Sequence, residues 1–68
     1  MSRAARIKAL MKDEDFKSVV SEMETHLTGK VMAPATTEED RNKALSQYHG
    51  LRALLGRLHS EAQNADKD

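Results

Sequence analysis

The sequence predicts an all-α protein with a short N-terminal helix, followed by an antiparallel helical hairpin whose second helix is long. Three observations support this prediction. Apolar residues recur at helical spacing in three separate segments, good N-capping residues precede each segment, and the single proline lies in the one long polar connection. At 68 residues, the chain has the length of one small domain, taken here as residues 1–68.

The first helix is predicted over residues 3–12. Ser2 is a suitable N-cap, and Ile7, Leu10 and Met11 form an apolar face. This face does not continue into the next segment, because Ile7 and Phe16 would lie on opposite sides of one helix. The stretch MKDEDF therefore indicates a junction near Asp13, although a single kinked helix is the alternative.

The second helix is predicted over residues 14–28. Asp13 is its expected N-cap, and the two acids that follow suit the positive end of the helix dipole. Gly29 is the expected C-terminal stop, since glycine commonly ends helices in a left-handed conformation. One buried stripe follows from the spacing of its apolar residues, which are Phe16, Val19, Val20, Met23 and Leu27.

Residues 29–36 are predicted to connect the second and third helices. Pro34 discourages helical backbone at Ala33. Val31 and Met32 are apolar, so we expect both to fold back onto the core. The tail, residues 64–68, is polar and is expected to fray.

The third helix is predicted over residues 37–63. Thr36 and Glu39 have the spacing of a capping box, as do Thr37 and Asp40 less typically. Apolar residues then alternate spacings of four and three, as in the seam of a coiled coil, with Leu45 and Leu54 beside it. The seam exceeds what the second helix alone would cover, so its surplus is expected to meet another chain. It consists of Ala44, Tyr48, Leu51, Leu55, Leu58 and Ala62.

Composition limits both the stability and the setting of the protein. A chain this short has a thin core and usually needs reinforcement, and the absence of cysteine excludes disulfides and thiolate metal sites. We therefore expect self-association or docking onto a larger assembly. No apolar run reaches the length of a membrane span and no signal-peptide pattern begins the sequence, so the expected location is the cytoplasm without membrane contact.

No arrangement of residues predicts an enzyme. His26, His49 and His59 lack zinc-ligand spacing, and the acidic clusters at 13–15 and 38–40 are explained by the helix dipoles. No serine has a general base at a diagnostic spacing, and no glycine-rich phosphate loop is present. We expect no catalytic residues, no cofactor and no metal.

Two glycines inside the third helix are unusual, because each costs about 1 kcal/mol relative to alanine. With Ala53 between them, Gly50 and Gly56 form a strip of small residues that would allow close helix contact, in the hairpin or across subunits. The alternative is that they are merely tolerated. The predicted protein interface combines this strip with the apolar anchors and comprises Tyr48, Gly50, Leu51, Leu55, Gly56 and Leu58.

A second hypothesis is a small DNA-associated regulator. The third helix carries a weak cationic stripe of Arg41, Arg52 and His59. The candidate phosphate contacts of this helix are Arg41, Arg52 and Arg57. Basic residues of the first helix, Arg3, Arg6 and Lys8, would add to this surface. The zero net charge and the long connection between the second and third helices argue against it. A third hypothesis is a small inhibitor of one host or cellular protein.

The stretches KDEDFKSVVSEME and YHGLRALLGRLHSEAQ, with a polar connection between them, give the chain a recognisable layout. In this layout it resembles small helical proteins encoded among the head and packaging genes of tailed bacteriophages. The resemblance covers most of the chain and includes no diagnostic motif. It implies a non-enzymatic structural or assembly-accessory protein, located in the virion or the host cytoplasm and acting by protein contact.

Overall fold

Three α-helices make up most of the chain in a computed structural model, which describes residues 2–66. They are α1 (Arg3–Lys12), α2 (Glu14–Met32) and α3 (Glu38–Gln63), and a short 3₁₀ turn (Asn64–Asp66) follows. None of these residues forms a strand, so the all-α prediction is confirmed. Of the tail predicted to fray, residues 64–66 form this 3₁₀ turn and residues 67–68 lie outside the described part, so fraying stays a prediction.

Each helix begins at a side-chain cap. The Ser2 hydroxyl oxygen accepts from the Ala5 backbone N–H at 3.1 Å, and the Asp13 carboxylate accepts from that of Phe16 at 2.8 Å. The Thr37 hydroxyl oxygen accepts from the Asp40 N–H at 3.1 Å. The Ser2 and Asp13 caps agree with prediction, and of the two threonine alternatives Thr37 is the cap.

Asp13 is also the residue at which α1 ends. Its backbone N–H donates to the Leu10 carbonyl at 3.0 Å, and its backbone is extended, with φ −67° and ψ 128°. One residue therefore terminates one helix and caps the next. The single kinked helix is excluded, and the junction predicted from MKDEDF is present.

The predicted end of α2 at Gly29 is wrong. The helix continues for three further residues to Met32, and no described glycine has a positive φ. The actual stop is Pro34, because the residue before a proline favours extended backbone and Ala33 adopts φ −70° and ψ 126°. The connection is accordingly residues 33–37. Val31 is half-buried as expected, whereas Met32 is 80% exposed.

α3 is the spine against which the other two helices pack. α2 runs back along its N-terminal part and α1 packs on its C-terminal part, so the molecule is a flat layer measuring 49 × 19 × 12 Å. Among the described residues only Leu27, Ala44 and Ala62 are buried, and no large side chain is fully enclosed. The hydrophobic core is therefore small and extends along one face of α3.

We expect Gly29→Ala to raise the free energy of unfolding by about 1 kcal/mol, because Gly29 is an ordinary helical residue and alanine is the better helix former. No described atom lies within 4 Å of a Cβ built there, apart from nearby parts of the helix itself. Urea denaturation followed by circular dichroism measures the change. Destabilisation would instead indicate the left-handed cap that the sequence suggested.

Candidate protein-interaction surface

The predicted seam of α3 is used inside the chain. Tyr48, Leu51, Leu55 and Leu58 are all half-buried, between the buried positions Ala44 and Ala62. α1 packs on α3 as well, so it extends the cover that α2 provides along this seam. A contact between the rest of the seam and another chain stays a prediction.

Contacts at the two ends of α1 show how that cover is built. The Arg3 guanidinium lies 3.1 Å from the Glu61 carboxylate, and Met11 lines one surface cavity with Ala62 and another with Leu55. Leu55, beside which Met11 of α1 lies, is therefore not freely available to a partner.

The two α3 glycines face open space. Gly50 and Gly56 are both exposed, and no described atom beyond the neighbouring parts of α3 lies within 4 Å of a Cβ built at either one. The tight contact expected of them is therefore absent within the hairpin. A contact across subunits stays a prediction.

Three exposed apolar side chains lie on one side of the hairpin. Met23 is 48% exposed and Leu54 57% exposed, and they flank a groove of about 510 Å³ between α2 and α3. Val19, 54% exposed, lies one helical turn before Met23. We call the surface formed by Val19, Met23, Leu54 and the groove lining the groove face. The groove itself is lined by Met23, His26, Leu27, Gln47, Gly50, Leu51 and Leu54.

The sequence predicts another placement of these side chains, with Val19 and Met23 in the buried stripe of α2 and Leu54 beside the seam of α3. The signal that could have found the groove face is the width of the α2 stripe, which wraps further around the helix than one neighbouring helix can cover. Of the predicted interface residues, Gly50 and Leu51 lie in the groove and the others do not.

The three candidate phosphate-binding arginines all have partners within the chain. Arg57 lies 3.1 Å from Glu61, the carboxylate that Arg3 also contacts, and Arg52 lies 3.9 Å from Glu24. Glu24 offsets the charge of Arg52, whereas Glu61 is shared by Arg3 and Arg57, so that group keeps one positive charge. The cationic surface left for phosphate contact is therefore small.

Arg41 holds the end of α2 and the connection to α3. It donates hydrogen bonds to the carbonyl oxygens of Val31 at 3.0 Å, Ala33 at 3.4 Å and Thr36 at 3.3 Å. Carbonyls at a helix C-terminus lack partners within the helix and carry partial negative charge, so a guanidinium there satisfies and stabilises them. Arg41 thus has a structural position, which sequence reasoning missed.

No group of side chains suited to hold a metal ion assembles in the described part of the chain. His26, His49 and His59 are exposed, and no three His, Asp or Glu side chains among residues 2–66 are grouped to hold a metal ion. None of the helices in that range is long and apolar enough to cross a membrane.

Comparisons with known proteins supply no relative from which a function could be transferred. No family model, no curated protein and no solved structure matches the chain.

We expect Arg41→Ala to lower the free energy of unfolding by about 1–3 kcal/mol, because it removes charged hydrogen bonds from three carbonyls. Lys43→Ala is the matched control. Its side chain is 69% exposed and makes one long ion pair with Glu39, so its loss should change stability by less than about 0.5 kcal/mol. Urea denaturation compares the two variants, and equal effects would contradict the structural position of Arg41.

Proposed function

We propose that this chain is a non-enzymatic structural or assembly-accessory protein that acts through helix-mediated contacts with other protein subunits. The observation that carries the proposal is the groove face. Val19, Met23 and Leu54 expose apolar surface together on a hairpin whose own core is thin. An exposed apolar patch of this kind on a small protein is typical of an interaction site.

The chemistry of the groove supports a protein partner. Its lining includes four large apolar side chains and no Lys, Arg, Asp or Glu. Depletion of charge at the centre, with charged groups further out, is typical of protein interfaces. Nucleic acid would require unneutralised cations, whereas Arg52 and Arg57 are paired with carboxylates.

The phage-like layout supports a specific setting for these contacts. A small helical protein that resembles the products of head and packaging gene clusters would add to a virion or to an intermediate of its assembly in the host cytoplasm. Such a protein needs a docking surface and a stable fold, and it needs no active site.

The first test measures the size of the complex that contains the protein in the cells that express it. We expect the wild-type chain to elute on gel filtration of a lysate well above its 7.6 kDa monomer mass. Leu54→Asp should return it to the monomer position, because a carboxylate would be buried without a partner. Leu54 is preferred to Leu55, which is half-buried within its own chain.

Ser60→Asp is the control for this experiment. It adds the same charge to another exposed position of α3, outside both the groove lining and the strip of small residues, and should leave the complex unchanged. A wild-type chain that elutes as a monomer in these cells would contradict the proposed function.

A second test addresses the DNA-associated alternative. We expect no binding of the purified protein to duplex DNA, measured by fluorescence anisotropy at low salt. Binding that weakens steeply as salt rises, and that is reduced by Arg52→Gln and Arg57→Gln, would favour the regulator hypothesis instead.

A further inference from the structure

The chain exposes more surface than a compact protein of its mass. Its accessible surface is 5189 Å², against about 4,300 Å² expected for a folded monomer of 7.6 kDa. Its radius of gyration is 15.0 Å, where a compact chain of this length has about 11 Å. The flat layer therefore carries an excess of about 900 Å² of accessible surface.

This excess, which belongs to the elongated molecule as a whole, is comparable in size to the area that a dimer interface covers. A standard-size protein interface buries about 800 Å² on each partner. Association on one face would also double the thickness of a molecule that is only 12 Å through its shortest dimension. One further copy thus suffices to give the hairpin the second layer that its core lacks.

The groove face has the shape that self-association requires. In a two-fold interface the same patch meets itself, so that patch must carry both projecting and recessed elements. Met23 and Leu54 project from the two helices, while Leu27 and Leu51 form the floor between them. Gly50, with open space where a side chain would be, adds a notch in the wall of the groove.

Electrostatics do not oppose the pairing of two copies. The formal net charge of the chain is zero, so identical molecules have no overall repulsion. The groove lining contains no Lys, Arg, Asp or Glu that would be buried against its own equivalent. Only self-association requires a surface that carries no charge facing its own copy, and the groove lining meets this requirement.

From these observations we infer that the groove face binds a second copy of this chain, with α2 and α3 of each copy forming a four-helix core. The inference rests on the proposed function and names the partner at the same surface. Met23 or Leu54 of one copy fills the notch at Gly50 of the other, and apolar side chains of both copies become buried.

Sedimentation equilibrium of the purified full chain, from low to high micromolar concentration, tests the inference. We expect the mass to rise from 7.6 kDa to twice that value. Leu54→Asp should raise the dimer Kd at least about tenfold, and Ser60→Asp, at an exposed position outside the groove lining, should change it by less than about twofold. Circular dichroism checks that both variants remain helical.

The glycines provide a matched pair for the same measurement. Gly50→Ala and Gly56→Ala should each stabilise the monomer, since both sites are helical and open. Only Gly50→Ala fills the notch, so it alone should raise the dimer Kd, by about tenfold. A gain in stability together with weaker association cannot arise from damage to the fold.

Two results would overturn the inference. One is a chain that stays monomeric at every concentration, and the other is a dimer that Leu54→Asp leaves intact. A purified monomer combined with a large complex in cells would refute self-association while leaving the proposed function in place. A dimer unchanged by Gly50→Ala would refute the seating of the partner at the notch.

Discussion

The structure depends on one constraint of length, because the apolar seam of α3 is longer than the helix that returns along it. α3 has 26 residues and α2 has 19, so α2 leaves the last turns of the seam uncovered. A single continuous helix could not supply the rest, since the apolar faces of α1 and α2 are out of phase. The extended backbone of Asp13 resolves this conflict by letting α1 change direction and still reach Ala62.

Polar contacts hold this arrangement at both ends. At one end Arg41 ties the last carbonyls of α2 to the start of α3, and at the other Glu61 is shared by Arg3 and Arg57. The Arg41 bonds are partly buried and the Glu61 carboxylate is mostly covered, so both are less screened than exposed pairs. Arg41 therefore adds polar contacts between α2 and α3, and the Arg3–Glu61 pair adds one between α1 and α3, beside the thin apolar core.

The elements with local determinants were predictable from the sequence. Ser2 and Asp13 cap helices through side-chain bonds that span three residues, so residue type and spacing suffice to identify them. Gly29 shows the limit of this reasoning. A glycine ends a helix only if it adopts a positive φ, and here the helix continues until Pro34 prevents it.

The candidate surface was less predictable, because it depends on which faces the other helices cover. Leu54 and Leu55 are adjacent and chemically identical, yet Leu55 is half-buried and Leu54 is exposed. Periodicity places both near one stripe, and only the position of α1 and α2 separates them. Arg41 likewise belongs to a basic helix face in the sequence. Its hydrogen bonds to three backbone carbonyls depend on the conformation of the connection, which the sequence pattern does not indicate.

The glycines of α3 connect stability to association. In the monomer each lowers helix stability by about 1 kcal/mol and gains no packing in return, since nothing fills the space beside it. A domain of this size has only a few kcal/mol of net stability, so the penalty is a substantial fraction of the whole. A second copy seated at Gly50 would offset part of it with apolar contacts that alanine would obstruct. Nothing in the structure explains why position 56 is a glycine. Gly56→Ala is therefore the reference with which the effect of Gly50→Ala on association is compared.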